Sequence, residues 1–155
     1  MKKLIALALA LVLCMALACG AVAEGNWKIA ILTGTASQGE EEIRAAERAI
    51  ATYGADHIVH DTYPDNFMSE QETTVSKLVA FAADPEVKAI VMCQAVPGAT
   101  PAIQKIREMG REDILFIAGT PQEDPAVISE AADIVMYADE IAQGDSIMEK
   151  CAEWG

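Results

Sequence analysis

The chain has 155 residues, of which 24 are acidic and 11 basic, and its formal charge is −13. A surface that acidic repels phosphate backbones, so no nucleic acid is expected as a partner. Of its four cysteines, Cys14 and Cys19 fall in the first segment, and the distant pair Cys93 and Cys151 makes neither a disulfide framework nor a zinc site. The first segment reads as an export signal: Lys2 and Lys3, an unbroken apolar run over 4–18, then small residues. Such a run is too short for a comfortable membrane span. Two cleavages fit equally well. One follows Ala21-Val22-Ala23 and releases a soluble protein. The other uses Ala16-Leu17-Ala18-Cys19 as a permissive lipobox and makes Cys19 the lipid attachment site. A lipid would anchor the chain at about 0.8 kcal/mol per buried CH2 group. Either way the protein is exported, secreted or held at the cell membrane. Loss of Lys2 and Lys3 takes the charge from −13 to −15. Roughly 130 residues remain, enough for one modest domain.

Apolar runs then alternate with helical periodicity. "WKIAILTGT" (27–35) predicts a strand; Ile43, Ala46, Ile50 and Tyr53 share a helical face that Gly54 ends. "HIVHDTYP" (57–64) is the second strand, and Val75, Leu78, Val79 and Ala82 the next helical stripe, ended by Asp84-Pro85. "VKAIVMCQAV" (87–96) is a third strand with a continuous apolar run over 89–93, as a parallel strand covered on both faces should have. Ala102, Ile103 and Ile106 mark a helix closed by Gly110, "DILFIAGT" (113–120) is the fourth strand, and a short helix over 125–132 leads to "DIVMYAD" (133–139). A final helix over 141–154 carries Ile141, Met148 and Cys151 on one side, with Ile147 and Trp154 beside them. The alternation implies an α/β fold: a doubly wound parallel sheet with helices on both faces. Ser37-x-x-Glu40 and Ser69-x-x-Glu72 have the form of capping boxes, while Thr100-Pro101 and Asp124-Pro125 have the form of N-cap and N1 pairs. Cys93, in an apolar strand, and Cys151, on the last helix, are expected to be buried free thiols.

In an open parallel sheet, ligands bind beyond the carboxyl ends of the strands. Five loops meet there: 33–38, 61–68, 93–98, 118–123 and 137–140, rich in Thr, Ser, Gln, Asn and Asp. Such groups hydrogen-bond sugars, amides and amino acids without a metal. A phosphate is a poor candidate. "TGTASQG" contains neither G-x-G-x-x-G nor G-x-x-x-x-G-K, and Glu40-Glu41-Glu42 already fill the first turn of the helix behind it. A phosphate would meet three carboxylates there, each costing about 1 kcal/mol. A neutral or cationic polar ligand fits the loop better. Ser69 is expected to cap its helix, Ser37 could serve as cap or ligand, and Gly34 and Gly98 let the chain turn. His57 and His60 fit an exposed or core-edge setting better than that of a metal ligand or a base. No nucleophile motif or metal cluster is present, so no catalytic residue, metal or cofactor is assigned, and the chain is not read as an enzyme. Tyr63 and Tyr137 could stack on a flat ligand, although packing accounts for each alone.

The stretches "TGTASQGEEEIRAAERAIATYGAD", "TYPDNFMSEQETT", "DPEVKAIVMCQAVPGATPAIQKIRE" and "LFIAGTPQEDPAVISEAADIV", read in order, carry a resemblance over essentially all of 27–155. The chain resembles the uncharacterised lipoproteins of anaerobic Gram-positive bacteria that have a type I periplasmic-binding-protein fold. "TYPDNFMSEQETT" and "CQAVPG" are its most specific parts. The resemblance implies a Rossmann-like lobe that binds a small polar ligand, such as a sugar, nucleoside or amino acid, and works with a membrane permease. Onto the loop motifs it places Thr35, Ser37, Gln38, Asp65, Asn66, Gln94 and Thr120 as ligand-binding residues. Proteins of this type have two lobes. The expected organisation is therefore a signal over 1–23, an N-terminal lobe over 24–140, and, over 141–155, the first helix of a second lobe that this sequence lacks. That helix should then pack sparsely. Two other functions compete: an exported enzyme on a flavodoxin-like fold, and a surface lobe that contacts another protein and binds no small molecule.

Overall fold

The computed structural model describes residues 26–154; the expected export signal, the two expected cleavage sites and Cys19 lie outside them. Strands and helices alternate as β1 (Lys28–Thr33), α1 (Glu40–Tyr53), β2 (Ile58–Thr62), α2 (Gln71–Ala82), β3 (Val87–Met92), α3 (Ala99–Glu108), β4 (Leu115–Gly119), α4 (Pro125–Ala131), β5 (Ile134–Met136) and α5 (Glu140–Trp154). Every strand pair is parallel and the sheet order is β2-β1-β3-β4-β5. This is the doubly wound α/β arrangement that the alternating periods imply. The order reverses at β1, so the crevice between the ends of β1 and β3 is the topological switch point.

Side chains alternate across the strands, and the two faces of the sheet are packed differently. Ala30, Leu32, Ile90, Met92, Phe116 and Ala118 point to one face and are fully buried. There they meet Val75, Leu78 and Phe81 of α2, Ala102, Ile103 and Ile106 of α3, and Ile128 of α4. On the other face, α1 lies over β1 and β2 and buries Ala46 and Ile58. Beyond α1 the cover thins: Val91 and Ile117 are half-buried, and Leu115, Ile134 and Met136 are exposed. No residue of α5 is buried, and Ile141, Met148 and Trp154 are 80%, 69% and 83% exposed. The apolar stripe of α5 therefore lies in solvent, as its sparse packing was expected to leave it. Cys151 is exposed with it, contrary to the expectation of a buried thiol. A helical stripe buries a side chain only where a second surface meets it, and among the described residues none does.

The helix starts differ from the local patterns. α1 begins at Glu40 behind Gly39 and α2 at Gln71 behind Glu70, neither with a side-chain cap. Ser37 donates to Asp65 Oδ1 at 2.8 Å and Ser69 to the Asn66 carbonyl at 3.1 Å, so neither serine forms a capping box. α3 begins at Ala99 behind Gly98, which places Thr100 inside the helix. Only Asp124-Pro125 behaves as its pattern predicts: Asp124 Oδ1 accepts from Ala126 N at 2.9 Å, with Pro125 in the first turn. Gly54 and Gly110 close their helices at positive φ.

At the amino ends of the strands, long-range ion pairs hold the turns. Lys28 bridges Asp84 and Glu86 at 2.7 and 2.8 Å, which holds both carboxyls below their usual range. Arg111 donates to the carbonyls of Ala82, Asp84 and Val87 and so ties the α2–β3 turn to the sheet. His57 also lies at this end, stacked on Trp27 at 4.3 Å.

Candidate functional site

The loop after β1 explains its own glycines. Gly39 folds back onto Gly34 so closely that a Cβ at Gly39 would sit 2.7 Å from the Gly34 carbonyl carbon. The turn is closed by Gln38 N and Gly39 N, which donate to the Thr35 carbonyl at 3.2 and 2.7 Å. The small residues of "TGTASQG" therefore bring the chain back on itself, and the donor that a phosphate would use is already occupied. Gly34 N donates to Glu42 Oε2 at 2.5 Å.

Glu42 also begins a chain of side-chain bonds across the switch-point crevice. Its Oε1 accepts from Gln94 Nε2 at 2.9 Å, and Gln94 Oε1 accepts from Gln122 Nε2 at 2.9 Å. The Gln94 carbonyl accepts from the Tyr63 hydroxyl at 2.5 Å. One residue just past the end of β3 thus joins α1 and the loops that follow β2 and β4. Burial, then the charges of Cys93 and Glu42, push the Tyr63 phenol above its ordinary range. The Cys93 thiol is pushed up to about 11 by burial first and by Glu42 second.

A second carboxylate occupies the start of α3. Glu123 accepts from Gly98 N at 2.8 Å, Thr100 N at 3.0 Å and the Thr100 hydroxyl at 2.5 Å. Glu42 and Glu123 thus take the places where this fold would hold an external anion.

Two hollows open at the carboxyl ends of the strands. A crevice of about 100 Å³ is lined by Gly34, Thr35, Gln38, Tyr63, Gln94 and Gln122. A larger cavity of about 580 Å³ lies between Thr120–Gln122 and Tyr137–Ile141, and Asp139 and Glu140 are in its wall. Gln122 lines both. None of the five strand-end loops, 34–39, 63–70, 93–98, 120–124 and 137–140, carries a Lys or Arg.

The residues expected to bind ligand fall into separate groups. Thr35 and Ser37 hydroxyls lie 3.1 Å apart and Ser37 reaches Asp65, so these three form one polar cluster. Gln38 and Gln94 line the small crevice. Thr120 lies in the larger cavity, with a φ of 30° that is rare for a side-chain-bearing residue. Asn66 is outside both hollows and shapes a turn, its carbonyl accepting from Ser69 N and Glu70 N. His60 Nε2 meets the Thr33 hydroxyl at 2.9 Å, at the last residue of β1. Sequence reasoning did not single out Glu42, Gln122 or Glu123 as residues with a place in the site. The carboxylates of "GEEE" and "PQED" are plain in the sequence, but which one turns inward depends on the distance to another loop. Among the described residues no group of three His, Cys, Asp or Glu side chains could hold a metal, and no helix is long and apolar enough to cross a membrane.

A family model described as a protein of unknown function, DUF3798, matches residues 27–155. An uncharacterized protein of Treponema pallidum (strain Nichols) is 41% identical over 126 residues, covering 77% of this chain and 57% of that protein. A second from the same organism is 40% identical over 70 residues, covering 45% of this chain and 32% of its own length. Among solved structures, a protein of Clostridium difficile 630 described as a candidate transcriptional regulator aligns with a TM-score of 0.74 at 26% identity, over 84% of this chain and 39% of that one. This chain thus spans just over half of the first relative and well under half of the solved protein.

Proposed function

The chain belongs to the DUF3798 family, and from that premise we propose that it is a ligand-binding α/β lobe of an exported solute-binding protein. It recognises a small polar molecule such as a sugar, nucleoside or amino acid, for uptake with a membrane permease or for sensing. It is a type I periplasmic-binding-protein lobe, either carrying lipid on Cys19 or released after Ala23, and its role is binding rather than catalysis. The observation that carries this reading is the pair of hollows at the strand ends. They are lined by Thr, Gln and Tyr, they share Gln122, and the anion positions beside them are filled by Glu42 and Glu123. Preformed polar groups in a concave site are what a small polar ligand needs. A sensory use of the same site is favoured by the likeness to the Clostridium difficile protein. The acidic surface still sets this chain against DNA.

The test is a thermal-shift and calorimetric screen of the full chain. One arm holds sugars, nucleosides, amino acids and amines, and the other FMN, NAD and nucleoside phosphates. Stabilisation by a member of the first arm is expected. Micromolar affinity for a member of the second, or an empty first arm, overturns the reading.

A further inference from the structure

The relay that starts at Glu42 has a direction. A carboxylate only accepts hydrogen bonds, so the Gln94 amide must turn its NH2 group toward Glu42. Gln94 then offers its oxygen to Gln122, which must donate its own NH2 group in return. The Gln122 side chain then keeps its Oε1 uncommitted among the described residues, beside one remaining N–H, and Gln122 lines the cavity of about 580 Å³. Glu42, which lines neither hollow, thus fixes the orientation in which the far end of the relay keeps its amide oxygen and one N–H, rather than both N–H groups, for a ligand. The rest of that wall agrees in character. Asp139 and Glu140 bring negative charge, Tyr137 brings an aromatic face, and no Lys or Arg lies in any strand-end loop.

Resting on the ligand-binding reading above, we propose that the cavity between Thr120–Gln122 and Tyr137–Ile141 takes its ligand by a protonated amine, and that Glu42 is the positioning residue that sets this preference through Gln94 and Gln122. An ammonium brings donors only. It fits a wall that holds the Gln122 amide oxygen, the Glu140 carboxylate and the Asp139 carboxylate, whose Oδ1 accepts from Ala142 N at 2.9 Å and whose charge remains, and a carboxylate or phosphate does not. The same Glu42 occupies Gly34 N, so one side chain closes the crevice to anions and prepares the cavity for a cation.

Glu42→Gln tests the relay, because it keeps the shape and removes the charge. Gly34 N still requires an acceptor at position 42, so the new amide points its NH2 group at Gln94. Gln94 and Gln122 then reverse, and Gln122 presents NH2 to the cavity. The probes are three four-carbon molecules with cationic, neutral and anionic ends: 1,4-diaminobutane, butane-1,4-diol and succinate, titrated calorimetrically into the full chain. The wild type should bind the diamine at least about ten-fold more tightly than the diol or succinate, the scale of a hydrogen bond to a charged group. Glu42→Gln should lower the diamine-to-succinate ratio by about ten-fold. Adding Gln122→Glu to it should restore the preference, because the reversed relay then donates to a carboxylate at the cavity wall. A ratio is the readout because a purely structural role for Glu42 would weaken all three probes together. Gln122→Leu, at an exposed position, gives the same test if Glu42→Gln does not fold, and should weaken diamine binding alone. Equal or tighter binding of the diol or succinate by the wild type overturns the amine preference and leaves the wider ligand-binding reading standing. So does silence from all three probes when the broader screen has found a sugar or nucleoside. A diamine-to-succinate ratio unchanged in a folded Glu42→Gln overturns the role of Glu42.

Discussion

The face of the sheet under α2, α3 and α4 and the face beside α1 are built from the same strands, yet they differ in almost every physical respect. On the first, Leu32, Ile90, Met92 and Phe116 are sealed, and three helices interlock above them. On the second, the same strands present Ile31, Val91, Ile117 and Ile134, of which α1 covers the β1–β2 side. The difference teaches that an apolar strand pattern reports the capacity to be buried, while burial itself depends on which helices return over that face. It also separates the sources of stability. One face supplies the dry core, and the other buries Ala46 and Ile58 under α1 and leaves the β4–β5 side open.

Substitutions can break or sharpen this contrast. Phe116→Ala on the sealed face removes a fully buried ring that packs under Arg107, whose guanidinium lies 4.9 Å from the ring centre. It should cost about 3–5 kcal/mol in denaturant unfolding. A loss below 1 kcal/mol would mean that this face is not the core. Next in size is Glu123→Ala, which leaves Gly98 N and Thr100 N without their acceptor. It should cost about 1–3 kcal/mol, and Glu123→Gln, which keeps one acceptor, should recover part of it. Retention of full stability would show that solvent serves the start of α3 equally well.

The cysteines compare the regions chemically. The Cys93 thiol is pushed up to about 11, so at pH 8 it stays protonated, whereas Cys151 is exposed. Iodoacetamide at pH 8 should therefore alkylate Cys151 first, by mass spectrometry, and reach Cys93 only as the pH approaches 11 or the chain unfolds. The sign follows from burial favouring the neutral thiol. That contribution to stability is complete below the ordinary thiol value and is lost as the pH rises through about 11. Equal labelling rates at pH 8 would count against a half-buried Cys93. The smallest effect is expected on the bare face. Ile134→Ser and Met136→Ser replace side chains already 44% and 60% exposed, and each should change stability by no more than about 0.5 kcal/mol. A large loss from either would mean that the face is covered in solution.

Much of the architecture could be read in the chain before folding, because it depends on local repetition. Largely apolar strands such as 87–92 and the helical spacing of Val75, Leu78 and Ala82 imply alternating elements, and alternation points to parallel pairing through crossovers. Gly54, Gly110 and Asp124-Pro125 mark helix ends through the backbone itself, so they too hold in the structure. The site was legible only as a set of loops. Ser37 and Ser69 had the spacing of capping boxes, but a hydroxyl bonds whatever group lies nearest, and folding brought Asp65 and the Asn66 carbonyl closer. Glu42 differs from Glu40 and Glu41 only in the side of α1 on which it falls; there Gly34 N and Gln94, 52 positions away along the chain, converge on it. Local spacing determines which way a residue can face, and long-range packing determines what it meets. The strands and helices follow from the first. The relay, the capping by Glu123 and the bareness of α5 follow from the second.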